Sequence, residues 1–238
     1  MSRTIDYDFN RLLEYFQNYC LKDIILKEDY IKTAKCIHRK LYSFLLLLSE
    51  LEAQGVLKNP NSTMRMYFKE IGSDLILSFF CWANGAYKPA ELQLRSSIEN
   101  FLKALLLETV PNITLEKSVY AIFDIASNAS VFNNKICFNY YAKLRNEYSV
   151  LCASVHSSVD KLSQSEALIN FPKYNIKLSD DFSKHFQNVI NQMLSISYYS
   201  FYDNVFQMHA VNRDLFLQGL LKQDKALIYN YKTSSENQ

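Results

Sequence analysis

The sequence predicts an all-α helical bundle, and three observations carry that prediction. Apolar residues recur at three- and four-residue spacing along most of the chain. Only 4 Gly and 4 Pro occur in 238 residues, too few for the many turns of an all-β protein. The composition is 49% hydrophobic, with 17 Tyr and 16 Phe, which is enough to fill a sizeable core. No internal repeat or composition shift marks a boundary, so 1–238 reads as one domain.

The first helix is expected over 6–27, with Phe9, Leu12, Leu13, Phe16 and Cys20 at helical spacing. The second is expected over 28–53, ending at Gly55. Its outer face should carry Lys32, Lys35, Arg39 and Lys40, the most basic stretch of the chain; this reads as a solvated face or as a track for phosphates. Asn59-Pro60-Asn61-Ser62 is a loop in which Ser62 can cap the next helix. That third helix, 63–84, is apolar almost all round over 75–82 and is expected to be the most buried.

The chain is organised around the next stretch, 87–107, YKPAELQLRSSIENFLKALLL. Gly85 ends the preceding helix and Pro89 suits a first turn. Glu91, Arg95 and Glu99 form one row that continues through Leu102 and Leu106, so the charges sit at the edge of a packed seam. Leu94, Ile98, Phe101 and Leu105 should face the core, and 89–108 should pack on 136–155. The short connection from the third helix favours an antiparallel pair.

Pro111-Asn112 breaks this helix, and Thr114 is expected to cap a short one ending near Ser127. A polar connection over 128–134 follows. The helix over 136–155 has an apolar stripe of Cys137, Tyr141, Leu144, Tyr148, Leu151 and Val155 at alternating four- and three-residue spacing. Beside it runs a polar row, Arg145, Ser149, Cys152 and His156. The segment 164–178 reads as a loop, and Ser179-Asp180-Asp181 as a helix start. The helical pattern over 179–221 would span ~60 Å unbroken, so a break or kink is expected. The tail, 232–238, is polar and expected to fray.

Several functional classes lack their signatures. There is no Gly-rich phosphate loop, no GxSxG elbow and no HExxH motif, and the four histidines contain no i,i+4 pair. No metal site and no cofactor is expected. The five cysteines show no CxxC spacing and read as buried free thiols of a reducing cytosol. With no apolar leader and no apolar run near the ~20 residues of a membrane span, a cytoplasmic location without a membrane partner is expected. The net charge of +2 sets up no strong field, so an RNA partner would engage a local patch.

Two segments carry a family resemblance. One is Asn84-Gly85-Ala86-Tyr87 leading into the Arg95-x-x-x-Glu99 helix. The other is Tyr148-Ser149-Val150-Leu151-Cys152-Ala153-Ser154-Val155-His156-Ser157. Together they resemble the HEPN superfamily of small, often dimeric helical bundles, many of them metal-independent ribonucleases of toxin–antitoxin, CRISPR and phage-defence systems. The resemblance implies a HEPN-like core at about 63–160, flanked by helices over 6–54 and 179–221. The family's nuclease motif is an Arg, often followed by Asn, and then a histidine after four to six intervening residues. Here Arg145-Asn146 is followed by Val150, Leu151 and Cys152 at those positions, and His156 lies eleven residues on, ~16 Å of helical rise.

The resemblance implies Arg95, Glu99 and His156 as catalytic residues, with Arg145, Asn146 and Tyr148 holding substrate. Cleavage through the 2′-hydroxyl needs a base, an acid and a cation; His156 titrates near working pH, Arg95 offers a fork of donors and Glu99 can orient it. Either these three make a rebuilt ribonuclease site, or Arg95 and Glu99 form a structural pair and His156 ties two helices together. In the first case the chain is a toxin or defence ribonuclease. In the second it is a non-catalytic module that engages a protein or a nucleotide. A homodimer or stable hetero-complex is expected; Tyr198, Tyr199, Phe201 and Tyr202 carry rings on several faces and are either deeply buried or at an interface, and an exposed aromatic surface there would favour the second case.

Overall fold

A computed structural model describes residues 3–57, 62–155 and 167–235. Among them the chain is all helix with no strand. The order is α1 (Arg3–Asn18), α2 (Lys22–Ile25), α3 (Glu28–Ala53), α4 (Thr63–Ala83), α5 (Tyr87–Leu106), α6 (Val119–Ser127), α7 (Lys135–Val155), α8 (Ile176–Ser200), α9 (Tyr202–Gln207), α10 (Ala210–Gly219) and α11 (Lys222–Ser235). Short 3-10 turns at Pro111–Leu115, Ser130–Phe132 and Leu168–Asn170 fill connections.

α5 sits between neighbours on several sides. It forms a hairpin with α4 and also packs against α6, α7 and α8. Its core row is Leu94, Ile98 and Phe101, all fully buried, with Leu102 and Leu106 also inside; Leu105 is only half-buried because it lines a cavity described below. α7 buries the expected Cys137, Tyr141, Leu144, Tyr148 and Leu151. α8 packs on α3, α5 and α7, and one continuous apolar cluster runs from Ile24 to Ile228, so the flanking helices share a core with α4–α7.

Several local expectations are corrected. The first helix ends at Asn18 and α2 is separate, and Phe9, Leu13, Phe16 and Cys20 are exposed. α4 is not the most buried helix. It is covered by α3 and α5, and its remaining face leaves Ile76, Leu77 and Phe80 in solvent. α8 holds that place, with Phe182, Phe186, Val189, Ile190, Met193, Leu194 and Ile196 all at 0% exposure. α6 is capped by Ser118, whose hydroxyl accepts from the Ala121 amide at 3.3 Å, whereas Thr114 lies in the preceding turn. α8 begins at Ile176 behind an Asn175 cap; Ser179 lies inside it and accepts from Trp82 Nε1 at 3.1 Å. α8 ends where Phe201 leaves helical geometry (φ −111°, ψ 35°), which is the break expected in the long C-terminal stretch. Helix continues to Ser235, into the expected tail.

Lys40 reverses its expected orientation. Lys32, Lys35 and Arg39 are exposed, but Lys40 is buried and donates to Asn191 Oδ1 and to the Gly219 carbonyl. The i,i+1 step from Arg39 turns the side chain by about 100°, from solvent into the α3–α8–α10 interface. All five cysteines are free, but only Cys137 is buried; Cys20 and Cys36 are exposed. The aromatic cluster at the end of α8 is internal. Tyr198 and Tyr202 are buried, Tyr199 and Phe201 half-buried, and Tyr198 packs edge-on against Phe216.

Candidate functional site

The Arg95–Glu99 row of α5 meets α7 at Tyr148. Arg95 donates to the Tyr148 hydroxyl from Nε at 2.9 Å and from Nη2 at 2.6 Å. That hydroxyl donates to Glu99 Oε1 at 2.9 Å, and Arg95 Nη2 lies 3.1 Å from the same carboxylate oxygen. The i,i+4 spacing brings Arg95 and Glu99 side by side, and the buried α7 stripe delivers the tyrosine between them. Burial first, and then the Glu99 carboxylate, push the Tyr148 phenol well above its ordinary value against the pull of Arg95, so it stays protonated near neutral pH. Tyr148 is therefore a donor and a spacer here, unsuited to act as a base.

A cleft of about 350 Å³ opens beside this triad, between α5, α6 and α7. Arg95 forms one wall. Arg145, Tyr148, Ser149 and Cys152 of α7 form another, and Ser118, Tyr120 and Phe123 bring the first turns of α6 to it. Arg145 stacks over the Phe123 ring at 5.8 Å, and its Nη2 stands 3.9 Å from Asp124 Oδ1, a loose surface pair that leaves the guanidinium accessible. Tyr120 is 83% exposed at the mouth. Two guanidinium groups and a helix N-terminus bring N–H donors to the cleft, with Glu99 and Asp124 as the counter-charges of Arg95 and Arg145, and aromatic side chains line its side.

Of the residues singled out from sequence, Arg95, Glu99, Tyr148 and Arg145 come together. Asn146 does not. One residue past Arg145, it points to the other side of α7, where it lines a shallow depression with Glu147 and Asn188. There Glu147 accepts from Asn188 Nδ2 at 2.8 Å and lies 2.8 Å from His185 Nδ1, a link between α7 and α8. His156 lies outside the described residues. Sequence reasoning missed Tyr120 and Phe123, because only packing brings α6 across the α5–α7 seam.

Among the described residues no three His, Cys, Asp or Glu side chains gather as metal ligands, and no helix is long and apolar enough to cross a membrane. Comparison with protein-family models, with curated proteins and with solved structures finds no match for this chain.

Proposed function

We propose that the cleft between α5, α6 and α7 binds the phosphate and base of RNA or of a nucleotide. The observation that supports this reading is the convergence of Arg95, Arg145 and the α6 N-terminus on one pocket walled by Tyr120 and Phe123. Guanidinium forks and helix N-termini suit phosphate oxygens, and exposed aromatic faces suit unstacked bases. In the HEPN-like frame this is a metal-independent ribonuclease of a defence or toxin–antitoxin system. His156, which continues in sequence the row of Ser149 and Cys152, would be its acid or base, and Arg95, held by Glu99, its phosphate clamp.

Titration of a labelled single-stranded RNA and of AMP tests the cleft. Arg145→Ala is expected to weaken both by about tenfold or more, in line with the loss of one charge-assisted contact. Unchanged affinity would remove the reading. RNA cleavage in EDTA, together with growth arrest on expression, separates enzyme from binder. Loss of both in His156→Ala supports a ribonuclease; binding without cleavage in the wild type supports a module.

A protein-engaging role is the second reading, favoured by α1. Phe9, Leu13 and Phe16 are exposed along one side of this helix, which is tied to the body by a hydrogen bond from Tyr15 to the Phe171 carbonyl and, just past its end, by one from Tyr19 to Asn84. An apolar helical face left open in one chain suits a second copy or a partner helix.

A further inference from the structure

A second cavity, of about 290 Å³, lies far along α5 from the cleft, where α5 and α8 end. α5 stops at Leu106, and the turn that follows carries Glu108 and Thr109 to one rim. α8 stops at Ser200, so Tyr199, Ser200 and Phe201 face the space at its break. Lys232, in the last turn of α11, closes another side.

The charges of this cavity are opposite and unmatched. Glu108 makes no ion pair or hydrogen bond among the described residues, and neither does Lys232. The Lys232 ammonium instead rests over the Tyr199 ring at 4.2 Å and near the Tyr202 ring at 5.7 Å. Ring faces hold the cation in place without neutralising it. The lysine and the glutamate line one space but do not pair with each other. Between them Met64, Leu105, Val131 and Phe201 give apolar contacts, beside the hydroxyl-bearing Thr109, Ser130 and Ser200.

We propose that this cavity is a binding site for a small zwitterion on an apolar frame, the class of the apolar α-amino acids. The ligand carboxylate meets Lys232, its ammonium meets Glu108, and its side chain lies on Leu105, Met64 and Phe201. The volume, about 290 Å³, lies just below the about 300–1,000 Å³ usual for ligand pockets, which suits a ligand of this size. The site shares no lining residue with the cleft, so it stands whether or not that cleft binds RNA.

Calorimetric titration of the full chain with L-leucine tests it, with isoamylamine and 4-methylpentanoate as analogues that lack the carboxylate and the ammonium. Saturable leucine binding is expected, with each analogue weaker by about tenfold or more, the scale of one lost charge-assisted contact. Glu108→Gln, at an exposed position, and Lys232→Met should each weaken leucine by a similar factor. Because Lys232 also rests on α8 rings, the Glu108 variant decides the matter if Lys232→Met unfolds. Absence of saturable heat with leucine and with L-phenylalanine overturns the proposal. So does equal binding of either analogue, or leucine affinity that survives Glu108→Gln.

Discussion

Lys40 shows how one residue carries a fold-level constraint. Its ammonium is enclosed by α3, α8 and α10 and bonded to a neutral amide and a backbone carbonyl, with no carboxylate in ion-pair contact among the described residues. Burial, and then the charge of neighbouring Arg39, lower its proton affinity to about 8, against a smaller opposing pull from Asp224. From pH 8 to the ordinary lysine value of 10.5 the unfolded chain holds a proton the folded chain has released. Folding stability attributable to Lys40 therefore rises with pH across that window and is lost as pH falls through 8. Cys137, raised from 9.0 to about 12 by burial, acts in the opposite direction above pH 9, as do the buried tyrosines above their ordinary value. The difference between wild type and Lys40→Met isolates the lysine. In urea titrations at pH 7, 8 and 9, that difference should move steadily in favour of the wild type. A pH-independent difference would contradict a depressed Lys40.

At the scale of elements, the α4–α5 hairpin is set by three residues, 84–86. Gly85 adopts φ +77°, and a Cβ there would lie 2.0 Å from the Lys173 carbonyl oxygen. The turn also receives the amide of Lys173 at the Asn84 carbonyl, 3.3 Å, and the hydroxyl of Tyr19 at the Asn84 side chain. Gly85 thus permits both the left-handed turn and the approach of the loop before α8. Gly85→Ala should destabilise the chain by at least about 1–2 kcal/mol from backbone strain alone, with the steric clash adding to it. Chemical denaturation measures this; a loss within experimental error would show that the loop yields without consequence. Because the same hairpin aims Arg95 at α7, weakened RNA binding should accompany the loss.

For the whole molecule, the open question of assembly moves from the end of α8 to α1. The Tyr198–Tyr202 cluster is already packed inside one chain, against Phe216 and Tyr231, and offers little further surface. α1 instead presents Phe9 at 54% and Phe16 at 55% exposure. If this face pairs copies of the chain, light scattering at micromolar concentration should give twice the chain mass of 27.8 kDa, and Phe9→Asp with Phe16→Asp should return it to the single-chain value. A single-chain mass for the wild type would leave the face to a different partner or to none.

Periodicity alone determined the helices and most of their inward faces. The stripes of α5 and α7 were legible because a helix repeats its core face every three or four residues, and that repeat is local. The Arg95–Glu99 pair was legible for the same reason. Ends were less so: Ser118 in place of Thr114, and Asn175 in place of Ser179, show that several residues can cap and that neighbouring packing selects one. Burial of Lys40 was not legible, since it and Arg39 differ only in which side of α3 meets α8 and α10. The cleft also belongs to tertiary structure. Tyr148 bridges Arg95 and Glu99 from another helix, and α6 adds Tyr120 and Phe123 from a third. Helical periodicity specifies which face a residue occupies; only packing between helices decides what that face meets.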